Sequence, residues 1–258
     1  MKYYKILREN EKHSGLQFHT GRVDDPLPFA EYGSCVKGGI YFAPVTSILV
    51  FVNYGPWIRE VTVPEDAQMV KDPGDGPEKY RASSVVLGER EEWSDPVVLQ
   101  RLIAEGADVY IQGSFALYYA AESGHTETVQ VLLEHGANVH FHADALCRAA
   151  EHGHTDTVKV LLDAGADIHV RGDASLRWAA GGGHTETVQV LIEHGADIRA
   201  QDDEALRASA MNGYTATVRA LLEAGADVHV WDNYALWHAE KNEHTETAEL
   251  LKSYTDKE

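Results

Sequence analysis

In the second half of the chain, apolar residues repeatedly occupy one face of a short helix. Within residues 142–154, Leu146, Ala149 and Ala150 are spaced by three and four positions, which is typical of a helix with one buried face. Gly153 predicts the end of this helix, because glycine adopts the left-handed backbone conformation without steric cost. The pattern therefore predicts a short helix that is closed by a turn at Gly153.

A second helix is predicted directly after this turn. Thr155 is suited to be its N-cap, and Asp156 follows where the positive end of the helix dipole favours an acid. Apolar residues continue from Val158 to Leu162, and Gly165 predicts the end of the helix. Each unit is therefore expected to consist of two short antiparallel helices and a loop.

Both helices recur at a nearly constant spacing. The glycines of a Gly-Ala-Asp/Asn marker are 30, 29, 30 and 30 residues apart. These glycines are Gly106, Gly136, Gly165, Gly195 and Gly225. A marker leucine in the first helix keeps the same register, at Leu117, Leu146, Leu176, Leu206 and Leu236. So regular a period predicts stacked units that bury their apolar faces against one another, as in a solenoid.

The order of short motifs within each unit resembles the ankyrin repeat. Leu-x-x-Ala-Ala, Gly-His, Val-x-x-Leu-Leu and Gly-Ala-Asp-Val/Ile-His follow one another as in that family's consensus, whereas Thr-Pro is missing and each unit is about three residues short. The resemblance implies an all-α solenoid whose first helices line a concave face and whose loops form its rim. It also implies that the hairpin fingers of ordinary ankyrin arrays are shortened here to tight loops.

The markers predict a repeat domain that spans residues 93–258. Residues 95–112 are expected to form a half-repeat cap, in which Ser94 or Asp95 caps a helix with Pro96 in its first turn. Four full repeats and then a C-terminal capping repeat are expected to begin near Ser114, Ala143, Asp173, Asp203 and Asn233.

Residues 1–92 differ in character and predict a small α+β domain. Val45–Asn53 is a candidate short helix, and Pro and Gly turns separate the other elements. Strands are expected at Tyr3–Leu7, Leu16–His19, Gly39–Ala43, Ile58–Val63, Ala67–Val70 and Ser83–Leu87. The last strand leads through Glu89 to Trp93 into the repeats without a flexible linker, so one rigid body is expected.

Several short motifs of this domain, followed by a short-period array, resemble the ankyrin proteins of giant viruses of the mimivirus kind. The motifs are Gly38-Gly39-Ile40-Tyr41-Phe42, Tyr54-Gly55, residues 58–64 and Asp66-Ala67. The resemblance implies a non-enzymatic protein that faces the host or the virion and binds other proteins. It also implies an intracellular location, in the host cytoplasm or nucleus, rather than secretion.

Candidate binding residues are those that vary between units at one position of the repeat. The two residues after the marker leucine, with one loop position, are rich in Tyr, Trp and Arg, which dominate binding hot spots. The candidates are Tyr118, Tyr119, Arg148, Arg177, Trp178, Arg207, Trp231, Trp237 and His238. The loops add Phe141, His142, Arg171, Gln201 and Asp232 to the rim. The alternative is that individual aromatic residues pack between successive repeats.

Charge narrows the classes of partner. The net charge is −19, of which residues 93–258 carry −16, so the array repels phosphate backbones and direct binding of nucleic acid is not expected. The acidity can serve solubility, attract a basic protein or mimic nucleic acid. The charges in residues 1–16 argue against a signal peptide, and no apolar run is long enough to span a bilayer. With Cys35 and Cys147 as its two cysteines, the chain fits a reducing, intracellular setting.

One histidine in most units raises the alternative of a metal site. These residues are His125, His154, His184 and His244. Stacked helices lie about 8–10 Å apart, whereas zinc binds its ligands at about 2 Å, so neighbouring histidines are too distant to share an ion. We therefore expect the histidines to stabilise turns, and no metal or other cofactor is expected.

An enzymatic alternative concerns the amino-terminal domain. Residues 39–43 resemble the Gly-x-Tyr-Phe-Ala segment of ADP-ribosyltransferases related to poly(ADP-ribose) polymerases, with His19 upstream and Glu78 downstream. The resemblance implies NAD as the cofactor, with His19 on the ribose, Tyr41 on the nicotinamide and Glu78 at the transition state. However, His19 is followed by Thr-Gly instead of Gly-Ser/Thr, and the domain is about half the usual catalytic length.

Overall fold

A computed structural model describes residues 1–13, 16–29, 38–110, 115–140 and 144–256. The strands in this part of the chain are β1 Tyr3–Leu7, β2 Lys12–His13, β3 Leu16–Gln17, β4 Gly21–Asp24, β5 Ile40–Pro44, β6 Trp57–Thr62, β7 Met69–Lys71, β8 Tyr80–Ala82, β9 Ser84–Leu87 and β10 Glu91–Glu92. A 3₁₀ helix covers Val45–Tyr54. The α-helices are α1 Pro96–Ala104, α2 Phe115–Glu122, α3 Thr126–Glu134, α4 Asp144–Glu151, α5 Thr155–Asp163, α6 Val170–Gly181, α7 Thr185–Glu193, α8 Ala200–Met211, α9 Thr215–Glu223, α10 Val230–Lys241 and α11 Thr245–Thr255.

The chain forms two compact units. The first contains Met1–Tyr119 and Gln130–Asn138, and the second contains Ala120–Val129 and Val139–Glu258. The first unit holds all ten strands of the described residues together with α1, and the second holds α4 to α11. An α+β amino-terminal part followed by a run of helices is the fold class that the sequence predicts.

One antiparallel sheet organises the first unit. Its strand order is β4-β9-β6-β1-β5-β8-β7, and β10 pairs with β6, whereas β2 and β3 form a separate hairpin. The central position of β1 fits its burial, since its residues from Tyr4 to Leu7 are all buried. The core joins residues from several strands: Leu7, Phe18, Val23, Ile40, Phe42, Val61, Ala82, Val85 and Leu87.

Sequence patterns missed four of these strands. They are β2, β4, β8 and β10, and each has two to four residues with charged or glycine positions. Such segments have little β-propensity of their own and become strands because neighbours in the sheet satisfy their backbone groups. The strand expected at Leu16–His19 is also too long, because β3 ends at Gln17 and His19 lies outside it. The expected short helix is present as the 3₁₀ helix.

Three basic side chains of the described residues, Lys5, Arg59 and Arg81, are buried in the first unit. Arg59 is 4% exposed and forms an ion pair of 2.9 Å with Glu11. Lys5 is 7% exposed, and its Nζ donates to the backbone oxygen of Tyr41 at 2.7 Å and lies 4.7 Å from the ring centre of Phe18. Burial lowers the pKa of Lys5 to about 8, because the ammonium loses hydration.

The cap helix α1 also belongs to the first unit. Asp95 is its N-cap and accepts from the backbone N–H of Val97 at 2.8 Å, and Pro96 is the first helical residue. The predicted N-cap at Asp95 is confirmed. At the other end of the helix, Glu105 accepts hydrogen bonds from Lys2 at 2.6 Å and from Tyr4 at 2.5 Å, so α1 is fixed to β1.

In the second unit, the helices form two layers. The first helices of successive repeats, α4, α6, α8 and α10, pack side by side, and the second helices α5, α7, α9 and α11 do the same. Leu146, Leu176 and Leu206 are at most 1% exposed, and Val158 and Leu161 of the second layer are fully buried. The periodic apolar positions therefore form one continuous core, as expected of a solenoid.

The threonine that precedes each acid does not cap the second helix as the sequence suggested. Helix α5 begins at Thr155 itself, and its N-cap is His154, which forms no side-chain cap hydrogen bond. Instead, Thr155 Oγ1 lies 2.8 Å from Oγ1 of Thr187 in the next repeat. Similar pairs join Thr126 to Thr157, Thr185 to Thr217 and Thr215 to Thr247, at 2.7, 2.8 and 2.8 Å. A ladder of hydroxyl groups thus connects successive repeats.

Three repeat histidines, His154, His184 and His244, each fit against the glycine of the preceding repeat. Nε2 of His154, His184 and His244 lies 3.1, 2.9 and 3.0 Å from a backbone oxygen in that preceding repeat. Gly153 has φ +70°, and a methyl group built on it would lie 2.7 Å from Cγ of His184. Glycine is therefore needed for the left-handed turn and for the space that the imidazole ring occupies.

Three residues in the left-handed conformation connect one repeat to the next near the start of α6, α8 and α10, and the regular helix follows them. We call these segments the left-handed turns; they are residues 171–173, 201–203 and 231–233, with φ between 52° and 64°. Each non-glycine residue in this conformation costs about 1–2 kcal/mol, so other contacts must offset the strain. Buried carboxylates do so: Oδ1 of Asp173 accepts from the N–H of Asp197, and Oδ1 of Asp203 from that of Asp227, both at 2.8 Å. The expected tight loops thus take this form in the three described turns.

Candidate functional site

The candidate residues of the second unit lie on the first-helix layer, and they differ in exposure. Trp231 is 55% exposed and Trp237 51%, whereas Arg148, Arg177, Trp178, Arg207 and His238 are half-buried. Cys147 occupies the same repeat position as Arg177 but is fully buried, and its thiol accepts a hydrogen bond of 3.4 Å from Ser175 Oγ. Burial raises the pKa of the Cys147 thiol, which keeps it protonated.

Two arginines of this layer support the left-handed turns. Nε and Nη2 of Arg177 donate to the backbone oxygens of Gly172 and Arg171, both at 3.0 Å. Arg207 repeats this arrangement in the next repeat. Arg177 Nη1 also binds Glu204 at 2.5 Å. Both arginines therefore have a structural role in addition to any contact with a partner.

Arg148 links neighbouring first helices. Its Nη1 donates to Glu151 at 2.8 Å, and its guanidinium lies 5.8 Å from the ring centre of Trp178 in the next repeat. Contacts of this type orient the indole ring and leave part of it accessible. Trp178 therefore packs against Arg148 of the preceding repeat and is also partly exposed, so binding by this residue stays a prediction.

An aromatic cluster covers the end of the first-helix layer. We use this term for Trp231, Tyr234, Trp237 and His238 on α10. The ring centres of Trp231 and Tyr234 are 5.6 Å apart, and those of Trp237 and His238 are 4.6 Å apart, in edge-to-face geometry. Arg207 lies 3.9 Å above the ring of Trp231, and Lys241 lies 4.6 Å above that of Trp237. The cluster thus combines exposed indole rings with two cations.

Residues 92–172 and 169–232 match the family model for ankyrin repeats in three copies. The chain belongs to the ankyrin-repeat family. Ankyrin repeats generally mediate protein–protein interactions, and proteins of this family are typically not enzymes. No helix in the described ranges has the length and apolar character needed to cross a membrane.

The chain is similar to ankyrin proteins of Acanthamoeba polyphaga mimivirus. It is 38% identical to the ankyrin repeat protein R229 over 119 residues, which cover 44% of this chain and 39% of R229. It is 30% identical to R868 over 144 residues, which cover 54% of this chain and 70% of R868. It is 30% identical to R896 over 140 residues, which cover 53% of this chain and 42% of R896. The resemblance to giant-virus ankyrin proteins is confirmed, although the chain spans less than half of R229 and R896.

The ankyrin array contains one aromatic residue that sequence reasoning missed. Tyr234 lies at the centre of the aromatic cluster, 4.3 Å from the ring of His238 and 6.3 Å from that of Trp237. Part of the signal was available, because Tyr234 and Trp237 are three residues apart, which places them on one side of a helix.

Tyr118 and Tyr119 lie on α2, in the part that belongs to the first unit. Their ring centres are 5.0 Å apart, and Tyr119 stacks on Phe115 at 6.4 Å. Both tyrosines are half-buried. They form a smaller aromatic group that is separate from the cluster on α10. Two predicted rim residues, Phe141 and His142, lie outside the described residues. The same holds for Cys35 and for the expected repeat starts at Ser114 and Ala143.

The described contacts do not bring the three residues of the enzymatic alternative together. His19 precedes β4, and the strands β9, β6 and β1 lie between β4 and β5 in the sheet, where Tyr41 is found. Glu78 accepts hydrogen bonds from Lys71 on β7 and from Tyr80 on β8, and these bonds lower the pKa of Glu78. His19 Nδ1 contacts the backbone oxygen of the adjacent Thr20 at 2.9 Å.

The histidines have a structural explanation in the second unit. His154 and His184 contact backbone oxygens of the preceding repeat, as described above, which supports the expected role in turns. Burial lowers the pKa of His154, which favours the neutral ring. Within the described ranges, no three His, Cys, Asp or Glu side chains are grouped closely enough to hold a metal ion.

Proposed function

We propose that the ankyrin array is a non-enzymatic scaffold that binds a host or defence protein inside the cell. Its binding surface is the first-helix layer together with the adjoining left-handed turns. The observation that carries this proposal is the exposure of Trp231 and Trp237, each more than half accessible and both in contact with Tyr234 in one aromatic cluster. Exposed indole rings beside arginine are typical of binding hot spots.

The charge of the array supports a basic partner. Residues 93–258 carry a net charge of −16, which attracts cationic proteins and accelerates their association. The second helices contribute exposed acids, among them Glu127, Asp156, Glu186 and Glu246. Capture should therefore be faster at low ionic strength, whereas contacts with the indole rings should resist salt.

Affinity purification with the intact chain, followed by mass spectrometry, tests the proposal. A variant with alanine at six positions of the layer should capture the same proteins much more weakly. The six positions are Arg148, Arg177, Trp178, Arg207, Trp231 and Trp237. Because Arg177 and Arg207 also hold turns, a second variant changes just the three tryptophans.

A control variant carries alanine at exposed positions of the second helices, Gln189, Glu193 and Arg219. It should capture the partner as the natural chain does. Undiminished affinity of the six-alanine variant would reject the proposal. All variants are compared by far-ultraviolet circular dichroism, so that loss of capture is not confused with loss of helices.

A further inference from the structure

In two of the described ankyrin repeats, an arginine of the first helix donates hydrogen bonds to backbone oxygens of the left-handed turn that precedes that helix. In the turn at 201–203, Nε of Arg207 donates to the oxygen of Asp202 and Nη2 to that of Gln201, both at 2.9 Å. Arg177 does the same for the turn before it. We call this pair of hydrogen bonds the arginine fork. A guanidinium supplies two parallel N–H groups in one plane, which suits two neighbouring oxygens.

The last left-handed turn lacks its own arginine fork. At 231–233 the backbone has nearly the same conformation as at 201–203, with φ/ψ of 52°/50° for Trp231 against 55°/46° for Gln201. However, the residue in the position of Arg207 is Trp237, which has no guanidinium. Within the described part of the chain, no side chain donates to the backbone oxygens of Trp231 and Asp232.

The surroundings of this open turn suit a guanidinium. The carboxylate of Asp232 is exposed and makes no ion pair with another described residue. The ring of Trp231 already carries the guanidinium of Arg207 on one face at 3.9 Å, which shows that the cluster accepts this group. Trp237 offers a second, half-exposed indole ring, which also carries a cation, since Lys241 Nζ lies 4.6 Å from its centre. Carboxylate, carbonyl oxygens and indole rings are together the groups that bind arginine best.

The charge at this end of the chain favours binding of a cationic segment of another protein. Residues 201–258 contain 12 Asp and Glu against 5 Lys and Arg. The acids include Asp202 and Asp232, which are exposed in two consecutive turns. A basic segment of another protein is therefore attracted to this surface, whereas an acidic one is repelled.

We propose that the last repeat binds an arginine side chain of a basic partner protein, at the place that Arg177 and Arg207 fill in the two preceding repeats. The guanidinium donates to the backbone oxygens of Trp231 and Asp232 and stacks on Trp237. This inference rests on the proposed function, because it assigns the chemistry of the partner to one part of the same surface. Lysine fits the site less well, since an ammonium group cannot form the planar fork.

The probe for this site is a synthetic peptide in which arginine alternates with glycine, compared with a lysine twin of the same length. Binding is followed by NMR at the indole N–H signals of the chain, which has five tryptophans. The signals of Trp231 and Trp237 are assigned with Trp→Phe variants. The arginine peptide should shift both signals saturably and bind several-fold more tightly than the lysine twin, roughly as expected for the loss of one good hydrogen bond.

Trp237→Arg is the decisive variant, because it supplies the missing fork from within the chain. It should weaken binding of the arginine peptide by about tenfold or more, as expected when charge-assisted hydrogen bonds are no longer available. The same variant should make α10 more resistant to unfolding, which a merely damaging substitution would not do. Asp232→Asn should weaken binding several-fold and leave the helix content unchanged.

Equal affinity for the arginine and lysine peptides would overturn the inference. So would undiminished peptide binding by Trp237→Arg, or saturable shifts confined to tryptophans outside the aromatic cluster. The proposed function fails separately: if the six-alanine variant loses a natural partner and Trp237→Arg retains it, the array is a binding scaffold but its last turn does not bind arginine.

Discussion

The contact between Gly153 and His184 predicts a specific loss of stability on substitution with alanine. At Gly153 the new methyl group would lie 2.7 Å from Cγ and 2.8 Å from Cε1 of the imidazole ring, closer than such atoms approach. The ring must therefore move away from Glu151, whose backbone oxygen it contacts at 2.9 Å. Gly165 is a matched control, because it is also left-handed, with φ +87°, yet a methyl group there meets no described atom within 4 Å.

The expected magnitude follows from these two differences. Alanine in the left-handed conformation costs about 1–2 kcal/mol at either position. At Gly153 the lost hydrogen bond of His184 adds about 1 kcal/mol, and the displaced ring adds a similar packing cost. Gly153→Ala should therefore lower the free energy of unfolding by about 3–4 kcal/mol, and Gly165→Ala by about 1–2 kcal/mol.

Urea unfolding, followed by circular dichroism of the helices, measures both variants. A double-mutant cycle with His184→Ala isolates the contact, since Gly153→Ala should cost no more than Gly165→Ala once the ring is absent. Equal destabilisation by the two glycine variants in the natural background would refute the reasoning. So would an undiminished cost of Gly153→Ala in the His184→Ala background.

Three further predictions test other parts of the two units. Thr187→Val should lower the stability of the array by about 1 kcal/mol, because it removes the hydroxyl that pairs with Thr155, and Thr187→Ser should lower it less in the same urea assay. Lys5→Met should stabilise the chain below pH 8, because burial of the charged ammonium costs about 3 kcal/mol there, as follows from the lowering of the pKa of Lys5 from 10.5 to about 8. This cost should vanish as the pH rises from 8 to 10.5. A difference in unfolding free energy between the two proteins that stays constant across this range would contradict the prediction. Burial also lowers the pKa of His154 below 6.5, so the unfolded chain binds more protons than the folded chain on acidification. The array should therefore lose stability as the pH falls below 6.5, and His154→Gln should lose less. Thermal unfolding at pH 7.5 and 5.5 measures both proteins, and an equal loss in both would contradict the prediction.

The repeats were predictable because their signals are local and recur. Leu146 and its counterparts repeat at a fixed spacing, and a helix of this kind depends on contacts with the adjacent repeat. The hydroxyl ladder was not anticipated, because threonine is a common N-cap residue and Thr155 directly precedes an acid. Nothing in a single repeat shows that the partner of Thr155 is Thr187, 32 residues away. The spacing Thr-x-Thr in five units was the available signal.

The amino-terminal sheet was predicted less completely. Strands such as β4 and β10 are short and polar, and they depend on partners that are distant in the sequence. In the candidate site, the sequence indicated the exposed tryptophans but not the second role of Arg177. That role depends on the left-handed turns, which place the backbone oxygens of Arg171 and Gly172 within reach of Arg177.

Hydrogen–deuterium exchange of the complex with a captured partner tests the binding surface most directly. The central claim is that the partner covers the first-helix layer and its turns. Binding should slow exchange in α6, α8 and α10 and at residues 231–233, and it should leave α5, α7 and α9 unchanged. Protection confined to the second helices, with the first helices exchanging as in the free chain, would contradict the claim.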